Sequence, residues 1–178
     1  MLDTAGVLSE LTRLVALSPP KLADINADIR EACAATVALP PLPAETSGGA
    51  VDPMVTEFAE QFSIDVTGIS AAQRAAFADL LGPDVFGVAT LIYIADFVPR
   101  VNAGLCSIGV HLPLEPASWD HDTNPSDYVL DVFVPSVGKM RALDPVTSEL
   151  VRLRGARQHN CRLCSCDCVV RASTTAGC

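Results

Sequence analysis

The run DVFGVATLIYIADFVPRVNAGLCSI, residues 84–108, decides the fold. Apolar side chains fall on nearly every side of its helical projection, so it reads as a central helix that other elements must cover. Gly82-Pro83 breaks the chain just before it. Pro99 has no N–H to donate and its ring crowds the carbonyl four residues back, so a kink or an end is expected there. The most apolar window, Val85 to Ala95, is about 11 residues between Asp84 and Asp96. A bilayer crossing needs roughly 20 apolar residues, so no membrane partner is expected.

Working outward, the covering elements also read as helices. Val7, Leu8, Leu11, Leu14 and Val15 form one apolar stripe, and Leu22, Ile25, Ile29 and Cys33 form another after a cap-like Ser18-Pro19-Pro20. Asp52-Pro53 is an acceptor followed by a preset φ, opening a helix that buries Val55, Phe58, Ala59 and Phe62. Ser70 and Gln73 have capping-box spacing, with Ala76, Phe77, Leu80 and Leu81 inward. After a polar loop over 109–124, Tyr128, Val129, Val132 and Phe133 suggest a short helix ending before Pro135. Asp144-Pro145 starts a last one, with Val146, Leu150 and Leu153 on one face, reaching about Asn160. No segment sustains a period of two. The expected fold is all-α, a tight helical bundle. Its expected organisation is a helical pair over 1–39, a Pro/Gly-rich linker over 40–51 and a helical domain over 52–178.

Charge and cysteine are both uneven along the 178 residues. Positions 1–138 hold 5 basic and 18 acidic side chains, positions 139–178 hold 7 and 3, and the whole chain carries −9. So acidic a body repels phosphate backbones, which argues against nucleic-acid binding. Five of the seven cysteines lie in the last 18 residues, unlike a disulfide scaffold. The N-terminus lacks the basic and apolar regions of a secretory signal, so a reducing, cytoplasmic setting is expected.

Chemistry concentrates in ELVRLRGARQHNCRLCSCDC, residues 149–168. Cys161-x-x-Cys164 sets two thiols one helical turn apart, within reach of a disulfide when their side-chain vectors allow. At the first turn of a helix, free N–H groups and the dipole would favour a thiolate, and Arg154, Arg157 and Arg162 add positive potential. The three arginines equally suit a solvated helix face. Glu149, twelve residues before Cys161, could fold back as a proton acceptor.

The run Leu150 to Cys164, with Glu149, resembles the alkylhydroperoxidase D-like/carboxymuconolactone decarboxylase family, whose redox members carry Glu, eleven residues, then Cys-x-x-Cys. The resemblance implies an all-helical, usually homo-oligomeric protein that reduces hydroperoxides with electrons from a thiol or dithiol donor. It implies no organic cofactor and no metal. Carried over, Cys164 is the peroxidatic thiol, Cys161 its resolving partner and Glu149 part of the proton relay. Two departures stand out: the family's histidine between the cysteines is Leu163 here, and its later histidine is Cys168. His159, two residues before Cys161, is the candidate to replace them. Residues 165–178 show no continued apolar stripe, so a shifted or interrupted reading frame after Cys164 is expected.

The competing reading is a metal-binding or catalytically inactive helical protein. Cys161, Cys164, Cys166 and Cys168 with His159 supply soft ligands, but one compact run closes too small a ring for a comfortable tetrahedron. His111 and His121 flank Trp119 beside Asp120 and Asp122, which reads as a surface loop before a metal cluster. Cys33 and Cys106 read as core residues.

Overall fold

Short local signals start most of the helices where they are expected. In the computed structural model, which describes residues 4–49, 51–138 and 143–158, helix dominates and the described residues contain no strand. The helices are α1 (Thr4–Ala16), α2 (Ala23–Val37), α3 (Pro53–Asp65), α4 (Ala71–Leu81) and α5 (Val85–Ser107). After a loop come α6 (Pro125–Asp127), a π-helical turn (Tyr128–Phe133), α7 (Val134–Gly138) and α8 (Pro145–Gln158). The Asp52 side chain accepts from the Met54 N–H with Pro53 at the first position, and Ser70 and Gln73 complete a reciprocal capping box.

Two apolar clusters meet along α5. Leu11, Leu14 and Val15 of α1 join Ile94, Val98, Tyr128, Val129 and Phe133, together with Leu42. Ile29 and Cys33 of α2 join Val55 and Ala59 of α3, Phe77 of α4, and Val88, Leu91, Ile92 and Ala95. Each cluster draws on residues from both sides of 40–51. That segment lies against α2: the Pro43 carbonyl accepts from Arg30, Gly49 N–H donates to Asp28, and Thr46 Oγ1 donates to the Ala23 carbonyl.

Three local expectations need correction and one is narrowed. α5 does not end at Pro99, which is buried inside it. The helix after the 109–124 loop does not stop before Pro135. Instead the Val134 N–H reaches the Val129 carbonyl in the wider π turn, and α7 carries on to Gly138. A wider turn is one way to seat a residue whose ring crowds the preceding carbonyls. Leu80 is 43% exposed, because α4 docks through Phe77, whose ring stacks on Phe58 at 3.9 Å, and Leu81. Ser18 caps nothing; its hydroxyl donates to Glu45 Oε2 at 2.6 Å. By length and composition alone, one helical run among the described residues, Ala71–Ser107, is long and apolar enough to cross a membrane.

α1 ends with its last carbonyls turned towards other segments. Asp120 N–H donates to the Ala16 carbonyl at 2.8 Å, and Ser18 N–H donates to the Asp120 carbonyl at 2.9 Å. Arg30, 1% exposed, donates to the Val15 carbonyl at 2.8 Å, to the Pro43 carbonyl and to Asn26 Oδ1 at 3.1 Å. Its guanidinium lies 5.6 Å from the centre of the Trp119 ring. Asn26 in turn donates to the Leu17 carbonyl. A cation and an amide from α2 therefore cap the negative end of α1 across space.

Candidate functional site

Glu149 sits half-buried on α8. Asp144 starts that helix, accepting from the N–H groups of Val146 and Thr147 at 3.0 Å each, and the Thr147 hydroxyl holds its carboxyl below the usual carboxylate range. The expected apolar face is only partly covered: Val146 is 68% exposed and Leu150 61%, while Leu153 is half-buried. Arg154 is exposed. α8 runs to Gln158, three residues short of Cys161. His159, Cys161 and Cys164, with Leu163 and Cys168, lie outside the described residues.

The two loop histidines do not converge on a metal. His121 Nε2 is 2.8 Å from Glu45 Oε1, whereas His111 Nδ1 is 3.4 Å from Cys106 Sγ. Among the described residues no three His, Cys, Asp or Glu side chains gather as a metal site. Ser18, Glu45 and His121 share hydrogen bonds, but the glutamate stands in the middle, so the hydroxyl is not paired with the imidazole. The trio works as a clasp between three chain segments.

That clasp carries a pH signature. The Ser18 hydroxyl, and then the His121 ring, hold the Glu45 carboxyl below its ordinary value. The folded value thus lies under the unfolded one of about 4.3. Its contribution is complete above the unfolded value and is lost as pH falls through the folded one. The urea midpoint of the natural chain should therefore fall further between about pH 5 and pH 3 than that of Glu45→Gln. Parallel declines in the two chains would show that the clasp adds no stability.

Cys33 is buried as expected, and desolvation pushes its thiol up to about 11, out of the reactive range. Cys106 corrects the expectation: it is exposed, near the free end of α5. The only sequence signal for its pairing with His111 is Gly109 between them.

A groove of about 870 Å³ opens between the first half of α5 and residues 124–134. Phe86, Tyr93, Val129, Leu130 and Val134 give it apolar walls, and Thr90 and Ser126 share a hydrogen bond of 3.2 Å at its edge. Phe86 is 75% exposed and Leu130 66%. One wall includes residues of the π turn, a feature that often accompanies function. The lining can hold apolar surface but has no nucleophile paired with a base. Sequence reading missed the groove, because it depends on how α5 and the π turn are set against each other.

Among known proteins, the chain is similar to an uncharacterized protein of Mycobacterium tuberculosis strain CDC 1551 / Oshkosh, 50% identical over 168 residues. It is equally similar, again at 50% over 168 residues, to an uncharacterized protein of Mycobacterium tuberculosis strain ATCC 25618 / H37Rv. In both comparisons the alignment takes in 89% of this chain and 59% of the relative, so the chain spans little more than half the length of the relatives it matches. No family model matches the chain. No solved structure matches it either.

Proposed function

We propose that the protein is a cytoplasmic thiol-dependent peroxidase and disulfide oxidoreductase of the alkylhydroperoxidase D-like type, working through Cys161 and Cys164. The observation that supports this reading is Glu149, half-buried on α8 and twelve residues before Cys161 in the sequence, the spacing of the family that the run resembles. Cys164 thiolate attacks the hydroperoxide; an S–O bond forms, the O–O bond breaks, and the alkoxide leaves as the alcohol. Glu149 takes the thiol proton and returns one to the leaving oxygen. Cys161 then attacks the sulfenic sulfur, closing a disulfide with loss of water, and an external dithiol restores both thiols.

Intact-mass measurement of the anaerobically reduced chain tests this. One equivalent of tert-butyl hydroperoxide should remove two protons, and peptide mapping should place the new bond between Cys161 and Cys164. Cys164→Ser should abolish the mass change and bring peroxide consumption to the buffer rate. Glu149→Gln should slow consumption roughly 10²-fold, the lower end of what a positioned acid–base group supplies. Consumption by the natural chain at the buffer rate would overturn the proposal. A zinc-sized adduct lost on acidification would support metal binding instead.

A further inference from the structure

α5 ends in a turn that doubles the chain back over its own last residues. The Leu105 carbonyl accepts from the Val110 N–H and the Cys106 carbonyl from the Gly109 N–H, both at 3.0 Å, with Gly109 at φ +80°. This is the Schellman arrangement, in which a left-handed residue satisfies the last free carbonyls. Apart from its own chain neighbours, no heavy atom lies within 4 Å of where a Cβ on Gly109 would stand, so glycine serves here for its conformation and not for space. The reversal brings His111 beside Cys106, with Nδ1 3.4 Å from Sγ, and Asn102, one turn earlier, places its Oδ1 3.8 Å from the same sulfur. Cys106 and His111 are both open to solvent.

We propose that Cys106 is a second nucleophilic thiol, with His111 as its base, and that it forms mixed disulfides with small-molecule disulfides. A thiol within hydrogen-bond reach of an imidazole has the activating arrangement that cysteine chemistry uses. His111 Nδ1 takes the Sγ proton, and the thiolate attacks one sulfur of the incoming disulfide. The new S–S bond forms as the old one breaks, and the departing thiolate leaves as a thiol with the proton from the imidazolium. The disulfide is the oxidant, so electrons balance without another reagent. Among the described residues the other cysteine, Cys33, is buried in the cluster around α2, so it offers the adduct no resolving partner.

The test uses the reduced full-length chain and 2-hydroxyethyl disulfide, a neutral probe, with the initial rate read on the Cys106 peptide by mass spectrometry. That peptide is separate from those of Cys161 and Cys164, so success or failure here is independent of the peroxidase reading. His111→Gln should lower the rate about tenfold. This is below the roughly 10²–10⁴ of enclosed acid–base catalysis because both groups face water. Iodoacetamide supplies an irreversible second reading. In the natural chain it should alkylate Cys106 about tenfold faster when folded than in urea, because only the fold sets the imidazole against the sulfur. Folding ordinarily slows thiol reactions, so acceleration is the specific outcome. Equal rates for the natural chain and His111→Gln, or no gain on folding, would overturn the proposal.

Discussion

Arg30→Met is expected to destabilise the fold by about 4 kcal/mol, since each orphaned buried acceptor costs roughly 1–3 kcal/mol. Two effects oppose each other. Removing a buried cation relieves its desolvation, which lowers the Arg30 pKa to about 10 while leaving it protonated at neutral pH. Against that, three acceptors lose their donor: the Val15 and Pro43 carbonyls and Asn26 Oδ1. Two of the three are main-chain groups that no compensating substitution can remove, and the Val15 carbonyl belongs to the negative end of α1. Orphaned acceptors therefore win over the relieved charge. Arg30→Lys should recover only part of the loss, because one ammonium cannot reproduce a planar fork aimed at three acceptors. Urea unfolding followed at two wavelengths measures both. An Arg30→Met midpoint within experimental error of the natural chain would show that the capping adds nothing.

Arg30 also shows where sequence reading stops. It stands next to Ile29 in the α2 stripe, and a charged side chain there reads as solvent-facing because arginine is seldom fully buried without a partner. Two of its three acceptors are loop and helix-end carbonyls, which leave no mark in a sequence. The helices themselves were legible because Asp52-Pro53, Ser70 with Gln73, and Asp144-Pro145 act within one turn. The inward faces of α1, α2 and α3 followed from spacing, since Leu11, Leu14, Ile29, Cys33, Val55 and Ala59 are all buried. Leu80 did not follow, because a face satisfied by Phe77 and Leu81 leaves no demand for it. Cys106 did not follow either: the run reads as apolar on nearly every side, and only the structure shows that Ala103, Gly104, Cys106 and Ser107 at its end are exposed. Of the candidate redox site, the spacing of Glu149, Cys161 and Cys164 was legible. The pairing of Cys106 with His111 needed the reversal at Gly109.

The all-round apolarity of α5 has a consequence for how the molecule unfolds. Val88, Leu91, Ile92 and Ala95 point to the cluster around α2 and α3, while Ile94 and Val98 point to the cluster around α1. One rigid helix thus serves two cores, and neither cluster can lose it alone. Leu91, fully buried, is the test: Leu91→Ala should cost about 3 kcal/mol, near the lower end of such truncations because neighbouring side chains can partly close the cavity. The loss should act on the whole chain in one transition. Trp119 is the one tryptophan of the sequence and lies over Arg30, which reaches the end of α1. Its fluorescence therefore reports on the α1 side, while Leu91 weakens the other. In Leu91→Ala the midpoint by Trp119 fluorescence should move down together with that by far-ultraviolet circular dichroism. Were the clusters independent, the fluorescence midpoint would stay at its natural value while the dichroism split into two steps. Coincident midpoints would show that a helix apolar and long enough to pass for a membrane span acts here as the shared spine of two small cores.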